Sequence, residues 1–227
     1  MNKKHENPEN IKKELYDYEK IHKATVKIGK RGWTIPFSFS IEQISFFEQE
    51  LHTDIDTIFM WYFSEEENFD RMINAILSIN EIKQWHEAIK QCVYAHKNKM
   101  FILSISTLIP ILEGILSAFE KNKNNTKMMK VCKEMIESPD FPSIFDKIIW
   151  TSCYHFISTL YQKSDFSGTE PEIVNRHWIL HGRTAFNNSE VDSIKIFNAI
   201  ETVSKIKEYH NKKSEVIRVR KEVPRLL

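Results

Sequence analysis

Glycine and proline are scarce in this chain, five and seven among 227 residues, and no glycine-rich phosphate loop can be built from them. Cysteine is rarer still. Cys92, Cys132 and Cys153 are far apart, odd in number and without C-x-x-C spacing, so a disulfide framework or a paired-cysteine zinc site is excluded. Each lies in an apolar helical context and reads as a reduced, buried thiol. Neither sign of charge dominates, with 32 lysines and arginines against 31 aspartates and glutamates. The molecule therefore lacks the basic field of a protein that coats nucleic acid, and any RNA contact has to be local. No apolar run approaches the ~20 residues of a membrane span, and Met1 to Asn10 is polar where a signal peptide would be apolar. The expectation is a cytoplasmic protein without a membrane partner. Internal repeats and low-complexity segments are missing as well.

What the chain has is apolar residues, 41% of the total, recurring at three- and four-residue steps almost throughout. That spacing predicts an all-α fold with enough apolar surface to hold a core without staples. Ile11, Leu15, Tyr18 and Ile21 mark a first amphipathic helix, expected to end by Gly29 or Gly32. The aromatic residues around Pro36, in Lys30 to Ser40, predict an ordered extended connector pressed onto the surface of the helical body. Ser40 with Glu42 and Gln43 reads as a helix start, Thr53 to Ser64 as the next apolar stretch, and Glu65-Glu66-Glu67 as the solvated opening turn of another helix. Ile82, Trp85, Ile89 and Val93 share one face of a helix carrying His86 and His96, which are not at metal spacing.

Phe101 to Phe119 is the most apolar stretch and predicts a central helix, with Pro110 inside it as a candidate kink. Glu113 stands out there, because a lone carboxylate in apolar surroundings is costly unless a cation meets it, and an arginine from elsewhere is the natural partner. Lys121 to Lys127 reads as an exposed loop. Pro139 and Pro142 introduce a long helix with Ile144, Ile148, Ile149, Phe156 and Leu160 on its apolar face. Thr169-Glu170-Pro171-Glu172 has the form of a capping box that would start a helix just before Ile173, with Gly182 as its stop. Asn187 to Glu190 bridges to a last long helix with Ile194, Phe197, Ile200 and Val203 on its buried side. The basic residues beyond Lys212 are expected to fray. The division this implies is an N-terminal helical extension at 1–65, a helical domain at 66–215 and a basic tail at 216–227.

The densest chemistry lies in Asn175-Arg176-His177-Trp178-Ile179-Leu180-His181-Gly182-Arg183. RNA cleavage without a metal needs a base for the 2′-hydroxyl proton, an acid for the leaving 5′-oxygen and a cation for the charge that builds on phosphorus. Histidine titrates near neutrality and suits either proton-transfer role, while arginine stays charged and offers two donors to phosphate. A five-residue step on an ideal helix turns through roughly 500°, which leaves Arg176 and His181 about 140° apart. Either the helix unwinds near Gly182, or two copies of the segment face each other. Ile179 and Leu180 would anchor the helix in both cases.

This segment resembles the R-x-x-x-x-H signature of the HEPN superfamily, and the string N-R-H-W-I-L-H-G-R, with amphipathic helices around it, resembles bacterial HEPN proteins found near defence and abortive-infection genes. The resemblance covers about Phe69 to Lys207. It implies an all-α HEPN-like helical bundle and a metal-independent endoribonuclease without cofactor, its composite site formed by two motifs across a homodimer interface. It assigns Arg176 to the scissile phosphate, His181 to acid or base catalysis, and His177 to orienting the site or holding phosphate. Glu113 would correspond to the acidic residue that many members place on another helix to hold the arginine. Asn175 and Arg183 have no general family role and are candidate RNA contacts. The implied products are 2′,3′-cyclic phosphate and 5′-hydroxyl ends. Such an enzyme would suit a toxin or a phage-defence effector, restrained by an antitoxin or a regulatory partner.

Other readings of the same residues stay open. Arg176 can pair with Glu113, and the histidines with backbone, purely to fix the helix. His177 and His181 are four residues apart, a spacing zinc sites use, although no glutamate follows His177 and no third ligand is near. A non-catalytic module that binds RNA or a nucleotide, or a structural dimerisation domain, also fits. The basic C-terminus, with Arg218, Arg220, Lys221 and Arg225, reads as a solvated tail before it reads as an RNA contact.

Overall fold

The three-and-four periodicity gives helices throughout the computed structural model, which describes residues 8–49, 54–119, 127–139, 143–163, 165–185 and 189–222. Among these residues there is no strand. In chain order the helices are α1 (Pro8–Lys30), α2 (Ile41–Gln49), α3 (Ile55–Ser64), α4 (Glu66–Ser78), a 3₁₀ turn at Asn80–Trp85, α5 (His86–Lys97), α6 (Phe101–Ser117), α7 (Met128–Glu137), α8 (Ile144–Leu160), α9 (Arg176–Leu180) and α10 (Glu190–Glu222).

Local signals set many of the boundaries. Ser40 and Gln43 form a capping box ahead of α2, the Ser40 amide donating to Gln43 Oε1 (2.8 Å) and the Gln43 amide to Ser40 Oγ (3.3 Å). Asp54 caps α3, and Ser143 caps α8 by accepting from the Asp146 amide. Helix α1 ends in a Schellman turn, with Gly32 in the left-handed region (φ 91°) and the Trp33 amide donating back to the Ile28 carbonyl. Pro110 sits inside α6 without ending it. Most of the Lys121 to Lys127 loop, together with Thr53, Pro142 and Asn187, lies outside the described residues.

Helix α10 is the axis of the bundle, touching α6, α4, the 3₁₀ turn, α3 and α8, while α1 and α7 pack on α8 and α5 packs on α6. One hydrophobic core runs from Ile21 to Ile206. From Ser193 to Ser204 every residue of α10 is buried, so the helix has more than the single apolar face its sequence suggests. Most of its polar residues meet a partner there, which offsets the cost of burying them. Ser193 Oγ lies 2.9 Å from His96 Nδ1, Lys195 pairs with Asp56 at 2.8 Å, and Glu201 pairs with Lys205 at 2.6 Å.

Asn198 and Thr202 explain the first departure from expectation. The connector after α1 is buried within the bundle instead of lying on its surface, with Trp33, Thr34 and Ile35 fully buried. An extended segment survives there because side chains of α8 and α10 replace the missing backbone partners. The Thr34 amide donates to Asn198 Oδ1 (3.0 Å) and the Ile35 amide to Ser152 Oγ (3.1 Å), while Thr202 Oγ1 reaches the Ile35 carbonyl at 3.4 Å. Two smaller departures follow. Ile144 is exposed where a buried position was expected, because it occupies the first turn of α8, ahead of the contact face. And α10 continues as helix to Glu222, so the expected fraying after Lys212 does not interrupt its backbone.

Candidate functional site

Helix α9 has five residues, too few to be stable alone, so its ends have to be held. Asn175 does this at the start. Its Oδ1 accepts from the His177 (3.0 Å) and Trp178 (3.2 Å) amides, and its Nδ2 donates to the Gln162 carbonyl just past α8 (2.7 Å). The helix therefore begins at Arg176 and not near Ile173, and the Thr169 to Glu172 pattern starts no helix. Asn175 wins because one side chain both caps α9 and ties it to α8, whereas the earlier pattern lies on an exposed, irregular stretch. Glu170 has a different use, accepting from the Ala185 amide at 2.8 Å.

The far end closes in a second Schellman turn. Gly182 takes the left-handed conformation (φ 63°), its amide donates to the Ile179 carbonyl (3.1 Å), and the Arg183 amide donates to the Trp178 carbonyl (2.8 Å). Trp178 and Ile179 are the buried anchors. Leu180, expected to share that role with Ile179, is exposed, because a helix of one and a half turns buries only one narrow side.

Arg176 points to the interior side of α9. Its Nε donates to Glu113 Oε1 on α6 and its Nη2 lies 3.5 Å from Glu113 Oε2, while the guanidinium carbon sits 5.3 Å from the centre of the Tyr161 ring. Both charged side chains keep about a quarter of their surface in solvent, 26% and 25%. The Glu113 hydrogen bond raises the Arg176 pKa, which fixes the cation. Burial, then the neighbouring Glu113, pushes the Tyr161 phenol well up, so it stays protonated. Tyr161 carries no motif of its own in the sequence, since its place beside the pair is set by the tertiary packing around the end of α8.

The histidines occupy another side. The His177 and His181 rings lie parallel, 2° apart in plane with centres 6.1 Å apart. His181 is exposed and also meets the edge of Phe166 at 5.6 Å. Its backbone remains close to helical (φ −95°, ψ 6°), so α9 does not unwind to swing the ring toward Arg176. Arg183 is exposed beside them, its guanidinium carbon 5.5 Å from the Phe166 ring centre. The chain thus brings Glu113, Arg176 and Tyr161 together on one side of α9 and His177, His181, Phe166 and Arg183 on another.

Among the described residues, no group of three or more His, Cys, Asp or Glu is placed to hold a metal ion. A hollow of about 230 Å³ adjoins α9, but Glu170, Glu172 and Asp192 line it, and three carboxylates repel a phosphate. The cysteines are all buried; burial pushes Cys92 up to about 11, Cys132 up to about 12 and Cys153 well above the ordinary thiol, which removes them as nucleophiles. No family model, curated protein or solved structure matches this chain.

Proposed function

We propose that the chain is a metal-independent endoribonuclease of the HEPN kind that works as a homodimer, with Arg176 on the scissile phosphate and His181 as proton carrier. The observation that carries this reading is the division of labour on α9. Glu113 and Tyr161 hold Arg176 as a fixed cation, while His177, the next residue, and His181, five along, stand in register on another side. One chain keeps the phosphate binder and the imidazole on diverging sides. In this reading a second α9, related by a two-fold axis, supplies the missing half of each, and the diverging sides support a composite cleft.

In that cleft an imidazole takes the proton of the 2′-hydroxyl as its oxygen attacks phosphorus in line. A second imidazole, protonated, gives its proton to the departing 5′-oxygen, and Arg176 neutralises the phosphorane. The products are a 2′,3′-cyclic phosphate and a 5′-hydroxyl. A cytoplasmic nuclease of this sort needs restraint, which fits a toxin or phage-defence effector with an antitoxin or regulatory partner.

The test is cleavage of mixed cellular RNA by the purified protein in EDTA, comparing wild type with Arg176→Ala and His181→Ala and analysing product ends. Wild type alone should cut, leaving cyclic phosphates. Equal cleavage by all three proteins would sink the assignment.

A second reading, a non-catalytic module binding RNA or a nucleotide, draws on the same ion pair, because an arginine already committed to Glu113 can serve recognition or packing without turnover. It predicts affinity that falls with Arg176→Ala and Arg183→Ala, and no cleavage by any form.

A further inference from the structure

Phe166 is a large apolar side chain left 39% exposed directly beside the exposed histidine of the proposed site. It is not carried on a loose loop. Asp165 locks the turn beneath it, its Oδ1 accepting from the Ser167 amide (3.0 Å) and its carbonyl from the Gly168 amide (3.0 Å). Trp178 of α9 braces the ring edge-on, with centres 5.7 Å apart. The ring meets His181 at 5.6 Å and lies under the Arg183 guanidinium at 5.5 Å. A fixed aromatic face between an imidazole and an arginine is the arrangement with which proteins hold an unpaired base and its phosphate.

Resting on the nuclease reading above, we propose that Phe166 is a stacking platform for the nucleobase next to the cleaved phosphate. Arg183 holds the phosphate of that nucleotide, and the substrate is single-stranded or looped RNA. A duplex hides its base faces in the stack and presents only phosphates and groove edges, which Phe166 has no means to engage. Arg183 supplies the charge: among the described residues its guanidinium makes no salt bridge, only its contact with the aromatic ring.

The experiment uses the full chain and a pool of 2′-O-methyl oligonucleotides, which cannot be cleaved, carrying 2-aminopurine. Stacking quenches the probe, so binding and stacking are read without catalysis. Wild type and Phe166→Tyr should bind and quench alike. Phe166→Leu, which still covers Trp178 but has no aromatic face, should bind about tenfold or more weakly and leave the probe bright. The same sequences as duplexes should compete poorly.

Equal binding and quenching by Phe166→Leu, effective competition by duplex, or no binding by wild type would overturn the platform. A shift of Phe166→Leu from dimer to monomer in light scattering would also overturn it, by making the ring a contact between copies. Wild-type cleavage matched by Phe166→Leu removes the platform and leaves the nuclease standing. Stacking without any cleavage of unmodified RNA removes the nuclease and leaves the platform.

Discussion

Glu113 of α6 grips the guanidinium of Arg176 of α9 across 63 positions of sequence. An arginine so fastened is pre-oriented for phosphate, and the cost of the contact is that one edge of its donor fork is already used. Glu113→Gln preserves size and a weaker hydrogen bond but removes the charge that orients Arg176. Its cleavage rate should fall by about tenfold with unchanged product ends, and Arg176→Ala should fall by about 10²-fold to 10³-fold. Because both partners keep a quarter of their surface in solvent, Glu113→Gln should cost at most about 1 kcal/mol of stability. Initial rates and urea midpoints on the same preparations separate the two effects.

That pairing was legible in the sequence because a single carboxylate in the apolar run of α6 demands a cation, and the densest arginine motif supplied one. Caps of short range were legible too, as at Ser40 and Gln43. What the sequence hides is anything settled by a partner far along the chain. Ser193, Lys195 and Asn198 look like the solvated side of α10 until His96, Asp56 and Thr34 are seen against them. Phe166 gave no signal either, since its significance lies in its nearness to His181 and Arg183. The Thr169 pattern misled because a capping motif is a local preference, and the irregular segment is pinned instead by Asn175 and Glu170.

The buried connector gives a prediction about folding. Thr34 and Ile35 depend on Asn198 and Ser152 for their amide partners. Asn198→Leu and Ser152→Ala each leave a buried N–H without an acceptor, which costs about 1–3 kcal/mol. Because both strap one segment, the double variant should lose less than the sum of the singles. Urea unfolding of the four proteins measures this, and strict additivity would mean that the connector is not one cooperative unit.

His96 sets a pH dependence of stability. Ser193 gives its hydroxyl proton to Ser104 (3.1 Å), so the His96 Nδ1 proton is the one shared with Ser193 at 2.9 Å. The ring stacks on Phe69, with Phe101 and Phe197 at its edges. Burial, helped by Lys97, lowers its pKa from 6.5 to about 4. Between these values the unfolded chain binds a proton that the folded chain refuses. The stabilisation is therefore whole above pH 6.5, drains as pH falls, and levels off below about 4. About 2 kcal/mol should disappear between pH 7 and pH 5. His96→Asn keeps a donor for Ser193 and does not titrate, so its unfolding free energy should lack this part of the slope. A slope equal to wild type would assign the acid sensitivity to other groups.

Gly182 decides where His181 and Arg183 point. It holds the left-handed turn that closes α9 at φ 63°, and a Cβ there would meet nothing within 4 Å. Alanine is therefore strained by its backbone alone, by about 1 kcal/mol, and relief is available by reopening the turn. Global stability should barely change, while the two side chains flanking the glycine lose their orientation. Gly182→Ala should then lower cleavage several-fold with its unfolding midpoint nearly intact, and Gly182→Asn, which tolerates this conformation better, should fall between alanine and wild type. A rate unaffected by alanine would show that the site does not need this turn, and would weaken the case for His181 as proton carrier more directly than for Arg176, which lies at the other end of the helix.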